Sequence, residues 1–223
     1  MKKIFQLINK NLSSLIAPSF DRKKKMIPPV ITISRESGSG GRLVARLVDK
    51  KLGKTWRLYH KEIIEEIAKK THLEEKILQE VDEKSVSLID ELIGDMFGKH
   101  YPTFSSYYKN LVRIISTLGQ LGHVIIIGRG AEYIIPHALK IRIICEMEQR
   151  IRWQMEYEGL SRQSAIKKIE RSDQDRIDFV KTLYHHDPRK AHHYDLVIRT
   201  GPNLSIEDAA EIIFKAAKRR FHL

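Results

Sequence analysis

The chain has 223 residues, which is enough to bury the core of one α/β domain with a helical excursion, or of two small domains. Its single cysteine, Cys145, excludes a disulfide framework and is expected of a protein in the reducing cytoplasm. The net charge is +12, and residues 1–25 hold seven Lys or Arg against Asp21 alone, so half of the excess belongs to this N-terminal segment. No apolar run approaches the roughly 20 residues that span a bilayer.

Residues 1–28 are predicted to form a basic amphipathic extension and a linker. No cleavage site for a secretory signal is evident, so we expect the segment to be retained. Three interpretations stay open for residues 1–25: contact with the domain itself or a partner protein, adsorption to a membrane surface, and disorder. The apolar residues at helical spacing are Ile4, Phe5, Leu7, Ile8, Leu12, Leu15 and Ile16.

A glycine-rich loop follows the first predicted strand, which ends at Ser34. The loop runs from Arg35 through Ser37, Gly38, Ser39, Gly40 and Gly41 to Arg42, and an amphipathic helix over 43–52 follows. Residues without a β-carbon let backbone N–H groups converge on an anion, and a helix N-terminus adds unpaired donors. The order predicts a phosphate cradle, although a glycine turn with no ligand is the open alternative.

The loop departs from the Walker pattern of Gly, four residues, Gly, Lys and then Ser or Thr. Arg35 stands in the place of the first glycine, Gly41 in that of the lysine and Arg42 in that of the hydroxyl. Arg42 could supply the missing positive charge, but it cannot coordinate magnesium. Ser37, Ser39 or water would have to do so.

The rest of the chain alternates predicted strands with helices. The third and fourth strands are continuous apolar runs, which are typical of strands covered on both faces. Five short strands separated by helices predict a parallel sheet flanked by helices, with the loop at its carboxyl edge. A helix is predicted from His60 to Lys70, Gly159 to end a helix, and Ser161 and Ser205 to cap the last two. The later strands are predicted over 56–59, 123–127, 139–145 and 194–200, and a helical region is predicted to extend to about residue 120.

Basic side chains follow this sheet edge. Arg129, after the third strand, could hold a second phosphate bidentately or make an ordinary ion pair. The predicted helices beyond the fourth strand carry charges that indicate either a solvated face or a mobile arginine lid for phosphoryl transfer. These charges are Arg150, Arg152, Arg162, Lys167, Lys168, Arg171 and Arg176, interleaved with Asp173 and Asp175.

Over about residues 29–215 the chain resembles the cytidylate-kinase-like proteins among the P-loop nucleoside monophosphate kinases. The resemblance implies a five-stranded P-loop NTPase-type sheet, a helical part at about 61–120 that binds the monophosphate, and a lid at about 160–192, all within a kinase domain of residues 29–223. It also implies transfer of the ATP γ-phosphoryl group to CMP or dCMP with Mg²⁺. The motifs that carry it are the loop over 34–42, Tyr59-His60-Lys61-Glu62, Ile127-Gly128-Arg129-Gly130-Ala131-Glu132-Tyr133, the segment 171–176, and Tyr194-Asp195-Leu196-Val197-Ile198 with Thr200.

The same resemblance assigns roles to individual residues. Residues 37–42 would hold the donor phosphates, and Arg129, His60 and Tyr133 would contact the acceptor. Gly41 in place of the lysine, Gly130 in place of a common aspartate, and His60 at a position resembling an aspartate site are departures from cytidylate kinase itself. Charge stabilisation of the transferring group would come from Arg42, Arg150, Arg171 and Arg176.

Alternatives to a kinase remain. One is a nucleotide-binding regulatory module without catalysis, and another is a nucleic-acid-binding protein that uses Lys23–Lys25 and Lys218–Arg220, although no nucleic-acid partner is expected. The paired histidines His185-His186 and His192-His193 are expected to face solvent, and no metal site built from protein side chains is predicted.

Overall fold

The computed structural model describes residues 27–60, 62, 64 and 106–223. The predictions for the N-terminal extension and for most of the helical part at 61–120 therefore lie outside the described residues. In the described part, no helix combines the length and the hydropathy needed to cross a membrane.

Five strands form one sheet in the spatial order β2-β3-β1-β4-β5, all parallel. This confirms the predicted five-stranded parallel sheet flanked by helices. The central strand β1 pairs with β4 so that Ile33 lies opposite Ile141, and β4 pairs with β5 so that Ile143 lies opposite Ile198. The loop after β1 therefore leaves the middle of the carboxyl edge. The strands are β1 Val30–Arg35, β2 Arg57–His60, β3 Val124–Ile127, β4 Leu139–Cys145 and β5 Leu196–Thr200.

Helices connect these strands, as the crossovers of a parallel sheet require. A 3₁₀ turn over Ala191–His193 precedes β5. The described helices are α1 Gly41–Leu52, α2 Ser106–Leu121, α3 Ala131–Ile134, α4 Met147–Glu158, α5 Arg162–Tyr184 and α6 Ile206–Phe221.

The chain divides into two compact units. One comprises 31–58, 125–132 and 139–223, and its core is the sheet covered by α1 and α6: Val44 and Val48 of α1 and Ile213 of α6 are fully buried with the strand isoleucines. The other contains α2 and the second half of α3, and consists of the described residues of 27–30, 59–124 and 133–138. In it Leu111, Ile115 and Leu118, which are spaced four and three residues apart along α2, are buried. The domain boundaries given above stay predictions.

The predicted helix boundaries hold where local chemistry decides them. Gly159 ends α4 in the left-handed region at φ 65°, and the Ser161 hydroxyl accepts a hydrogen bond from Ser164 N–H at the start of α5. Ser205 and Asp208 form both halves of a capping box at the start of α6.

Some element boundaries were wrong. His60 closes β2 instead of beginning a helix, and the first helical residue described after it is Glu62. His123 precedes β3 at φ 52°, outside the strand region. Tyr194 and Asp195 precede β5, because the Tyr194 N–H donates to the Ala191 carbonyl at 3.0 Å and closes the 3₁₀ turn.

Candidate phosphate-binding site

The loop after β1 is held between two neighbouring strands. Glu36 N–H donates to the Ile143 carbonyl of β4 at 3.0 Å, and the Thr200 hydroxyl of β5 donates to the Ser39 carbonyl at 2.8 Å. Gly38 and Gly40 turn the chain through the left-handed region at φ 76° and 74°. The loop is thus fixed at the sheet edge directly before the N-terminal turn of α1.

Ser39 stabilises the shape of this loop. Its side chain is fully buried, and its hydroxyl donates to the Glu36 carbonyl at 2.9 Å. The described contacts therefore give the hydroxyl a structural partner, and a role of Ser39 toward a nucleotide stays a prediction.

Two of the three departures from the Walker pattern, Arg35 and Gly41, are sterically coupled. A Cβ at position 41 would lie 2.7 Å from Arg35 Cβ, closer than side chains approach one another. Arg35 therefore fills the space that a side chain at position 41 would need. Gly41 is required by Arg35, and the sequence pattern alone could not reveal that link.

One carboxylate joins the loop to two helices. Asp173 of α5 accepts Ser37 N–H of the loop on Oδ1 at 2.6 Å and Arg176 Nη1 on the same oxygen at 2.9 Å. Its Oδ2 accepts Arg150 Nη1 of α4 at 2.5 Å. Three donors from three segments thus converge on Asp173, which sequence reasoning had treated only as a charge between the lid arginines; its spacing of three from Arg176 on one helix was the available signal.

Arg150 also braces the loop directly. Its Nη1 lies 3.4 Å from the Ser37 carbonyl, and its Nε lies 4.0 Å from Glu36 Oε2. Glu36, which was not predicted as a site residue, accepts Cys145 N–H at 3.0 Å and lies 4.0 Å from Arg142 Nη2. The loop is therefore surrounded by paired charges.

Of the predicted catalytic arginines, Arg150 and Arg176 meet at Asp173. The pKa of Arg176 is lowered first by burial and then by the positive charges of Arg42 and Arg142, while Asp173 raises it. Arg42, exposed in the first turn of α1, is thus within electrostatic reach of this centre.

Arg171 lies on a different face of α5. It lines an open cavity of about 350 Å³ together with Lys167, Lys168, Ser172 and Asp175. The described contacts do not bring Arg171 to Asp173, so its predicted catalytic role stays a prediction.

A buried polar centre lies behind the loop. Arg142 Nη1 donates to Ser34 Oγ at 3.1 Å, and the Tyr194 hydroxyl lies 3.3 Å from Ser34 Oγ and 3.4 Å from Glu132 Oε1. Burial raises the pKa of the Glu132 carboxyl, and the positive charges of Arg142 and Arg35 oppose that rise. These contacts hold the Arg142 side chain against the end of β1.

The turn after β3 is filled by side chains. The Arg129 guanidinium lies 4.7 Å from the centre of the Phe179 ring, and the Tyr184 hydroxyl donates to the Arg129 carbonyl at 2.8 Å. A Cβ at Gly130 would overlap the Tyr184 ring, and one at Gly128 would overlap the Arg35 guanidinium. Gly130 therefore replaces the expected aspartate because Tyr184 leaves no room for a side chain.

His60 and Tyr133 belong to the other compact unit. His60 Nδ1 lies 2.9 Å from Glu62 Oε2, and Tyr133 lies on the short helix α3. Their contact with an acceptor nucleotide stays a prediction.

The paired histidines do not all face solvent. His185 and His192 are exposed, whereas His186 and His193 are half-buried, with ring centroids 4.7 Å apart. Among the described residues, no group of three or more His, Cys, Asp or Glu side chains is arranged to hold a metal ion.

A glycine loop between the central parallel strand and a helix, ringed by arginines, defines a P-loop-like α/β protein. The chain belongs to the cytidylate kinase-like family, whose model matches residues 30–202. This confirms the resemblance found in the sequence and supports a nucleotide kinase-like fold.

The chain is also similar to solved structures. An uncharacterized protein from Eubacterium ventriosum is 24% identical with a TM-score of 0.66, over 87% of this chain and 99% of that one, which supports the fold. TT1252 from Thermus thermophilus is 18% identical with a TM-score of 0.45, over 86% and 97% of the two chains. No curated protein matches the chain.

Proposed function

We propose that the chain is a nucleoside monophosphate kinase that transfers the γ-phosphoryl group of ATP to CMP, dCMP or a related monophosphate. One observation carries the proposal: a loop amide, Ser37 N–H, and two guanidinium groups, Arg150 and Arg176, converge on one anionic position at the carboxyl edge of the sheet. Family membership supports the kinase-type chemistry. The pyrimidine acceptor rests on the resemblance.

The reaction needs no nucleophilic side chain. An oxygen of the acceptor phosphate attacks the γ-phosphorus, and the bond from that phosphorus to the bridging oxygen of the departing ADP breaks. Residues 37–42 bind the donor phosphates and Arg129 binds the acceptor phosphate. Arg42, Arg150 and Arg176 stabilise the charge on the transferring group, with a smaller contribution from the exposed Arg171, which is how phosphoryl transfer is catalysed.

The oxygen donors near the loop fit Mg²⁺ as the proposed cofactor. Mg²⁺ is usually bound through one or two carboxylates with phosphate oxygens and water, and Glu36, whose carboxylate is partly exposed, directly precedes Ser37 in the loop. When bound, the ion neutralises charge on the phosphates. Because Arg42 stands where a Walker hydroxyl would be, the phosphate oxygens and water must supply most of its ligands.

A coupled assay with ATP, Mg²⁺ and a panel of ribo- and deoxyribonucleoside monophosphates tests the function. We expect turnover that is highest with CMP or dCMP. Absence of turnover across the panel, with protein that unfolds cooperatively on heating, would rule out the kinase.

The second candidate is a nucleotide-binding regulatory module, and the coupled pair Arg35 and Gly41 favours it, because it removes the Walker lysine. Calorimetric binding of ATP without transfer in the same assay would support this module over the enzyme. A contact of residues 1–25 with a membrane surface or a partner protein, and a cytoplasmic location, stay predictions.

Nucleic-acid binding is the less favoured alternative. Lys218 and Arg219 are exposed on α6, and Arg220 lies 3.8 Å from Asp195. Affinity for RNA or DNA that falls steeply with salt and depends on these residues would support it.

A further inference from the structure

The contacts of Asp173 are those of a bound phosphate. Its two carboxylate oxygens accept one backbone N–H from a glycine loop and one N–H from each of two guanidinium groups, at 2.5 to 2.9 Å. Backbone amides at the start of a helix and arginine forks are the donors that proteins use for phosphoryl oxygens. The side chain is only partly buried, with 23% of it exposed, so solvent and ligands can reach it.

The surrounding charge favours a larger anion than one carboxylate. Arg150 and Arg176 pair with Asp173, and Arg42 and Arg142 are close enough to Arg176 to lower its pKa. Glu36 lies 4.0 Å from both Arg142 and Arg150, and Asp173 pairs with Arg150 and Arg176. Several guanidinium groups therefore lie near this position, and a phosphate group, which carries more negative charge than one carboxylate, can interact with them.

We propose that Asp173 is an internal competitor for the phosphate site formed by Ser37 N–H, Arg150 and Arg176, and that a terminal nucleotide phosphate binds there by displacing its carboxylate. The proposal rests on the proposed function in one respect, that the anion is a nucleotide phosphate. The exchange releases α5 from the loop and frees both arginines for the phosphate. Asp173 thereby sets the affinity for the donor, because only chains in which the carboxylate has moved away bind at full strength.

Calorimetric titration with inorganic pyrophosphate tests the competition without requiring catalysis. Asp173→Asn removes the competing charge, and Asp178→Asn is the matched control, since Asp178 lies on the same helix and contacts Gln174 instead. We expect Asp173→Asn to bind pyrophosphate about tenfold more tightly than wild type, and Asp178→Asn to bind it within about twofold of wild type. Equal or weaker binding by Asp173→Asn, relative to the control, would overturn the proposal and make Asp173 a residue that builds the site.

A second measurement covers the case in which Asp173→Asn does not fold. In wild-type protein labelled for NMR, pyrophosphate should shift both the Ser37 amide resonance and the side-chain carboxyl carbon of Asp173. A shift of the amide with an unchanged carboxyl carbon, or no binding of pyrophosphate at all, contradicts displacement. Tighter pyrophosphate binding by Asp173→Asn together with no phosphoryl transfer to any monophosphate would uphold the competition while refuting the kinase.

Discussion

Two glycine turns leave the same edge of the sheet, one after β1 and one after β3, and different groups surround them. In the loop after β1, left-handed Gly38 and Gly40 bend the chain so that Ser37 N–H faces an anion, the Asp173 carboxylate. In the turn after β3, Gly130 is needed because the Tyr184 ring occupies the space of its side chain. The first turn presents backbone to an anion, and the second is packed.

This difference shows why a glycine-rich motif does not by itself report a ligand site. Both turns have residues at positive φ, and both carry an arginine nearby. The two turns differ in the chemistry of their neighbours. Charged side chains of α4 and α5 surround the first turn, and the aromatic rings of Phe179 and Tyr184 surround the second. We therefore expect mutations of the glycines in the packed turn to act mainly on stability, and mutations around the loop to act mainly on phosphate binding. The Arg129 side chain is the one group of the packed turn that we propose reaches a phosphate.

The largest expected effect is on stability, from Gly130→Ala. The new Cβ would overlap the Tyr184 ring, and alanine would also have to adopt φ 68°. Left-handed alanine costs about 1–2 kcal/mol, and overpacking adds about 1–3 kcal/mol, so we expect the free energy of unfolding to fall by about 3 kcal/mol. Urea denaturation measures it.

Gly159→Ala is the control for that variant, because Gly159 has a similar φ of 65° and no atom within 4 Å of its would-be Cβ. It should lose only the backbone part, about 1–2 kcal/mol. Equal losses in the two variants would show that Tyr184 yields and that the turn after β3 is not packed as described.

Kinetic measurements of the phosphoryl transfer should distinguish Arg150, which contacts the loop after β1, from Arg129, which lies in the turn after β3. Arg150→Ala removes a guanidinium that contacts both Ser37 and Asp173, so we expect kcat/KM to fall about 100-fold, as on loss of a group that stabilises the transition state. Arg129→Ala should mainly raise the KM of the acceptor, by about 30-fold, the loss of a charge-assisted contact of about 2 kcal/mol.

Arg171→Ala is the comparison on the outer face of α5, and its loss in kcat/KM should stay below about tenfold, since exposed charges contribute little. A loss as large as that of Arg150→Ala would mean that α5 turns this face toward the phosphates during the reaction.

Much of the fold could be predicted because the three inner strands, β3, β1 and β4, are rich in isoleucine. Ile31, Ile33, Ile125 and Ile141 are fully buried, which is what strands covered on both faces require. Helix caps such as Ser161 and Ser205 could also be predicted, since their hydrogen bonds are to residues nearby in the chain. The end of β2 at His60 could not be predicted, because no glycine or proline in the sequence marks it.

The site was only partly predictable. The loop and Arg150 follow from local pattern and resemblance, but the role of Asp173 depends on contact with Ser37, which is 136 residues away in the chain. The same holds for the fit of Tyr184 against Gly130 and of Arg35 against Gly41. Such pairings arise only when distant segments pack, so no spacing in one sequence records them.

The smallest expected effect concerns pH and the segment that follows Tyr184. Burial, and then the positive charges of His186, His192, Lys190 and Lys140, lower the pKa of His193 from 6.5 to about 4. Between these values the unfolded chain binds a proton that the folded chain does not, so this contribution to stability is present above about pH 6.5 and is lost as the pH falls toward 4. His193→Gln should therefore flatten the decline of the urea midpoint between about pH 7 and about pH 5, whereas His185→Asn, at an exposed position, should keep it. If the urea midpoint of His193→Gln declines with falling pH as steeply as that of wild type, the stability of the segment after Tyr184 does not depend on a neutral His193. If the affinity for pyrophosphate changes in His193→Gln at neutral pH, the segment after Tyr184 is coupled to the loop after β1. Packing and phosphate binding would then not be separate properties of the two regions.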